Sequence, residues 1–117
     1  MTDKPLLVDG CDYCKFFTNP KTIKIKLYYP KLSEINKDTE FIIIRNGNHP
    51  MIIYKNHVTS LSKEQWGRVL YRSRKLFGGG SRLKINYTKI SDHWHAKVLL
   101  SSKVKQKMNK LPDMRKR

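Results

Sequence analysis

Long apolar runs are missing from this sequence. The longest, Phe41 to Ile44, is far short of the ~20 residues that a membrane-spanning helix needs, so no membrane partner is expected. Cysteine is scarce. Both copies, Cys11 and Cys14, sit in one C-x-x-C, which is no disulfide framework and points to a reducing, intracellular setting. The opening residues, MTDKPLLVDG, lack the charged-then-apolar pattern of a signal peptide, so a cytoplasmic location is expected. Acids number only nine and form no Asp/Glu cluster to hold magnesium, which argues against a metal-dependent nuclease. Alanine occurs once, against ten isoleucines and 18 lysines; that bias suits an AT-rich genome and carries nothing about mechanism. No RNP1-like string, glycine-rich KH loop, zinc-finger spacing or bZIP heptad is present. Gly78-Gly79-Gly80 lacks the lysine and the strand-before-helix order of a P-loop.

What the sequence does hold is positive charge. Lys and Arg number 25, giving a formal net charge of +16 on 117 residues. Self-repulsion of that size opposes a compact state, so a neutralising partner is expected, and a polyanion is the commonest one. Residues 101–117 carry seven bases and one acid, whereas residues 1–20 carry two bases and three acids. The chain is long enough for one domain with one core.

The strongest local signal is Ser60 to Phe77, SLSKEQWGRVLYRSRKLF. Trp66, Val69, Leu70 and Phe77, with small Ser73, fall at helical spacing. Ser62 and Gln65 have the spacing of a capping box, Glu64 suits the positive end of the dipole, and the glycines from 78 end the helix. Residues 22–29, TIKIKLYY, alternate as a half-exposed strand. Residues 40–46 and 51–55 are apolar on both faces and read as central strands joined by a turn at Asn46-Gly47. Residues 82–90 and 93–100 alternate again. The expected order is β-β-β-α-β-β: an α+β two-layer sandwich with a mainly antiparallel sheet of about five strands. It divides into an N-terminal segment (1–20), one domain (21–100) and a basic tail (101–117), disordered or ordered by its ligand. The two-sided apolarity of the middle strands requires a second cover, from the N-terminal segment, the tail or another subunit.

Two basic surfaces follow. On the helix, Arg68, Arg72 and Lys75 lie opposite Trp66 and Phe77, with Tyr71 in the same arc. On the sheet, the outward residues Lys24, Lys26, Tyr28, Arg82, Lys84, Asn86, His93, His95 and Lys97 would share a face. Lys103, Lys105 and Lys107 add charge from the tail. Cations neutralise phosphates and aromatic rings stack on bases, so this mixture points to RNA or single-stranded DNA.

Three further chemistries are open. Cys11 and Cys14 with His93 and His95 supply the soft and borderline ligands of a Cys₂His₂ zinc site, although 78 residues separate the halves. The string Cys11-Asp12-Tyr13-Cys14 resembles the active-site string of glutaredoxins, and His49-Pro50-Met51 is similar to their loop proline; the resemblance implies redox chemistry over those few residues, and Thr18-Asn19-Pro20 cuts off the helix that should follow. His93 and His95 as base and acid, with Lys97, Lys84 or Arg82 on the phosphate, would make a small metal-free ribonuclease. The function expected is non-enzymatic nucleic-acid binding. The runner-up is an inhibitor or accessory factor docking on a nucleoprotein assembly, as phage antagonists and ribosome-associated proteins do.

Overall fold

The computed structural model describes residues 12–36, 39–55, 58, 60–78, 82–85 and 93–116. Five antiparallel strands form one sheet in the order β1-β2-β3-β5-β4: β1 (Leu27–Tyr29), β2 (Phe41–Asn46), β3 (His49–Tyr54), β4 (Arg82–Ile85) and β5 (His95–Leu99). The helices are α1 (Asp12–Thr18), α2 (Lys63–Phe77) and α3 (Ser102–Lys110). The α+β class with one principal helix is therefore as the sequence pattern implies. Among the described residues no helix is long and apolar enough to cross a membrane.

Helix α2 begins at the expected capping box. Gln65 N donates to Ser62 Oγ at 3.2 Å, and Ser62 N donates to Gln65 Oε1 at 2.7 Å, satisfying two otherwise orphaned amides. It ends at Gly78, whose φ of 98° is open to glycine alone without strain. In the β2–β3 hairpin, Asn46 pairs with His49, leaving a two-residue turn whose first residue, Gly47, has φ 63°.

Successive residues of β2 enter different clusters, as strand alternation dictates. Phe41 and Ile43 join Ile52, Tyr54, Val69, Phe77, Trp94, Ala96 and Val98 under α2. Ile42 and Ile44 join Leu27, Met51 and Ile53 on the opposite face, where Phe17 of α1 and Ile23 close over them. The second cover that the middle strands require thus comes from the N-terminal segment, with Met114 packed beside it. Trp66 is only partly buried; it meets Trp94 edge-to-face at 5.5 Å.

Two elements depart from the sequence pattern. The strand expected over 22–29 is reduced to three residues. Pro20–Thr22 forms a 3₁₀ turn, and the register slips between Leu27 and Tyr29, which pair with Ile44 and Ile43. The segment from 101, expected as a basic tail, holds α3. Ser101 caps it, accepting from Val104 N at 3.4 Å. Val104, Met108 and Leu111 then make a narrow apolar stripe at i, i+4 and i+7, and Met108 is 2% exposed in the α2-side core. Beyond the helix, Asp113 accepts from Leu27 N at 3.3 Å and pairs with Arg115 at 2.6 Å, holding this segment to the edge strand. The Arg115 bond outweighs burial and keeps the Asp113 carboxyl well below the usual carboxylate range.

Candidate nucleic-acid interface

Because Val69, Ser73 and Phe77 turn α2 onto the sheet, Gly67, Arg68, Tyr71, Arg74 and Lys75 face outward, all exposed. Tyr71 is 60% exposed, an unusual position for a large aromatic ring. Lys75 Nζ lies 5.7 Å from its centroid. The Arg72 guanidinium lies 4.6 Å from the centroid of Tyr29, held there by cation–π attraction that leaves its charge unneutralised.

Arg68, expected as a member of this basic stripe, is instead engaged by Glu40. Its Nε donates to both carboxylate oxygens at 2.9 Å and its Nη2 to Oε2 at 2.6 Å. Tyr54 Oη donates to the same carboxylate at 2.9 Å. Burial opposes ionisation of Glu40, but these bonds win and hold its pKa below the ordinary value. Burial first, then the bond to Glu40, pushes the Tyr54 hydroxyl up to about 12. Arg68 therefore anchors α2 to the start of β2 and adds little net field.

Tyr71 stands between two hollows. One, of about 500 Å³, lies towards Tyr29, Arg72 and the Arg68–Glu40 pair, with Glu64 at its edge. The other, of about 350 Å³, is lined by Gly67, Leu70, Tyr71, Arg74 and Lys75. Gly67 and Tyr71 border both. Sequence reasoning missed Gly67, Arg74 and Tyr29; the one available signal was a glycine inside an otherwise strong helix.

The expected sheet surface does not assemble as one face. Tyr28 is 3% exposed, edge-on to Phe77 at 5.5 Å in the α2-side core, so it offers no stacking platform. Lys26 Nζ lies 5.3 Å from the Tyr28 centroid and donates to the carbonyls of Met108 and Asn109 at 3.4 Å, where a cation suits the end of α3. Lys24 is exposed. Lys97 instead shares the α1 side of the sheet with Met51, its cross-strand partner, and with Lys84. Arg82 and Lys84 are exposed beside it. Lys26 and Tyr28, read as outward, thus turn towards α3 and α2, on the side of the sheet opposite Lys84 and Lys97. Lys105 is partly exposed on α3. Asn86 and the side chains of Lys103 and Lys107 lie outside the described residues.

The histidines are not surface groups. His93 and His95 are 1% and 3% exposed, with Tyr13 of α1 edge-on to both at 5.5 and 5.0 Å. His93 Nε2 donates to Tyr54 O at 2.6 Å, and His95 Nδ1 donates to His93 O at 2.8 Å; a carbonyl can only accept, so each proton's place is fixed. Both rings are therefore covered where a ribonuclease would need them open to a phosphate. His93 Nδ1 lies 3.5 Å from Cys14 Sγ, so the structure brings one cysteine to one histidine. Cys11 lies outside the described residues, and among those described no three ligating side chains converge on a metal position. No protein family, curated protein or solved structure matches this chain, and the site rests on its own residues.

Proposed function

We propose that this protein binds single-stranded RNA or DNA, without catalysis, through the outward face of α2. The observation that carries the proposal is the 60% exposed ring of Tyr71 set among Arg72, Arg74 and Lys75, on a helix whose other face is sealed into the core. Cations there would neutralise phosphates and release counterions, while the ring supplies the sequence-tolerant stacking that unpaired bases accept. The net charge of +16 supplies the long-range attraction. The test is a salt titration of affinity for a single-stranded oligonucleotide. With three or so phosphates engaged, the plot of log K against log salt should have a slope near −2. A flat plot would reject the electrostatic basis. Absence of binding at low salt would move the target to an acidic protein surface of a nucleoprotein assembly.

A structural zinc would complement this reading without changing it. The approach of Cys14 to His93, with the other nitrogen of that ring held by the Tyr54 carbonyl, is the kind of outer-sphere bond that orients a ligating imidazole. One zinc per chain after purification without chelator, with unfolding eased by chelation, would support ligation by Cys11, Cys14, His93 and His95. Zinc-free, fully folded protein would reject it.

A further inference from the structure

Gly67 has no local reason to be glycine. It lies five residues into α2, is exposed, and has no positive φ. A Cβ built on it would meet nothing within 4 Å among the described residues, so no close packing demands its absence. Glycine at such a position costs the helix about 0.5–1 kcal/mol relative to alanine. Its effect is on Tyr71. Side chains on a helix lean towards the N-terminus, so the residue at i+4 overlies the turn below it. Tyr71 stands at i+4 from Gly67, the spacing that places its side chain towards that turn, and both residues line both hollows; a longer side chain at 67 would project into the space they share. The smaller hollow is lined by Gly67, Leu70, Tyr71, Arg74 and Lys75, with no carboxylate among them.

We infer that the hollow between Gly67 and Tyr71 receives one unpaired nucleobase, stacked on the Tyr71 ring, with the adjoining phosphate held by Arg74 and Lys75. The inference rests on the nucleic-acid reading above and adds to it a base-contacting position. A lining of glycine, leucine and a tyrosine ring suits the flat face of a base, which is accessible only when the base is free of a duplex. Arg74 and Lys75 in the same lining suit the charge that accompanies every base, and the absence of a carboxylate removes the repulsion that the larger hollow would impose. Stacking tolerates any base, so a position of this kind distinguishes strandedness more than sequence.

The experiment compares two probes of equal length and charge, oligothymidylate and the same strand with abasic positions, by fluorescence anisotropy at low salt. The proteins are the full chain and its Gly67→Gln, Tyr71→Leu and Tyr71→Phe variants. The wild type should prefer the probe with bases by about fivefold or more, the effect of one stacked base. Tyr71→Phe should keep that preference. Gly67→Gln, with a better helix former in place of glycine, should keep or raise the unfolding temperature yet bring the preference close to one, as should Tyr71→Leu. A wild type that binds both probes equally, or a preference that survives in Gly67→Gln and Tyr71→Leu, would overturn the base pocket while leaving phosphate binding intact. A wild type that binds neither probe would overturn both readings.

Discussion

Ser73 brings a hydroxyl into the core beneath α2, and among the described residues its Oγ has no hydrogen-bond partner. An unbonded buried hydroxyl opposes folding, so Ser73→Ala should leave stability unchanged or raise it by up to about 1 kcal/mol, read from urea unfolding. A loss greater than that would reveal a partner for the hydroxyl. Tyr54 is the contrasting case, a buried hydroxyl that donates to a carboxylate. Tyr54→Phe should cost about 1–1.5 kcal/mol at pH 7, a low value for a bond to a charged group because Glu40 is partly exposed and retains Arg68. Glu40 has a folded-state pKa below its unfolded value, so its contribution is complete above the unfolded value of about 4.3 and is lost as pH falls through the lower folded one. The difference between wild type and Tyr54→Phe should therefore narrow over that acid interval; a constant difference would show that packing, not the bond, sets it. Neither role was legible in the sequence. Ser73 could be assigned to the buried stripe by its spacing, but Glu40 and Arg68 stand 28 positions apart and nothing local pairs them.

Helix α2 was the most legible element because every local rule agrees: apolar spacing, a capping box and a glycine stop. The other departures trace to local signals that competed. In TIKIKLYY a clean alternation implied a long strand, but with the turn at Pro20–Thr22 and the slip before Tyr29 the strand proper is only Leu27–Tyr29. In the C-terminal segment, charge hid a short stripe of Val104, Met108 and Leu111. The element-scale prediction follows from that stripe. Met108→Ala should destabilise the domain by about 2–5 kcal/mol, because a side chain 2% exposed is removed from a packed core. Removing residues 102–117 should cost more, since it also strips the Asp113 bond from Leu27. The Asp113 carboxyl is held well below its ordinary pKa, so the stability it adds is present above the usual carboxylate range and disappears only in strong acid. A truncated chain that unfolds at the wild-type urea midpoint would contradict the docking of α3.

Over the whole molecule, the sequence revealed that charge dominates but not where it acts. A net charge of +16 attracts a polyanion from any direction. The arc of Arg68, Arg72 and Lys75 with Tyr71 could be drawn from helical geometry alone, whereas the engagement of Arg68 by Glu40 depends on tertiary placement. The surface imagined across the sheet failed for a similar reason: strand alternation fixes which residues share a side within one strand, but not which side of the sheet each strand presents. Among the described residues, one cationic group is on α2 and another on β4–β5. They can be told apart by replacing equal charge in each. One variant changes Arg72, Arg74 and Lys75 to glutamine; the other changes Arg82, Lys84 and Lys97. Both should fold, since exposed substitutions rarely shift stability by more than about 0.5 kcal/mol, with up to about 1 kcal/mol more lost where Arg72 leaves Tyr29. The deciding measurement is the salt dependence of single-stranded oligonucleotide affinity in the two variants. Contact through α2 predicts that the first variant lowers the magnitude of the log–log slope by about 2 and weakens binding at least tenfold more than the second. Equal slopes and equal losses in the two variants would contradict it and reduce the charge of this protein to a diffuse field.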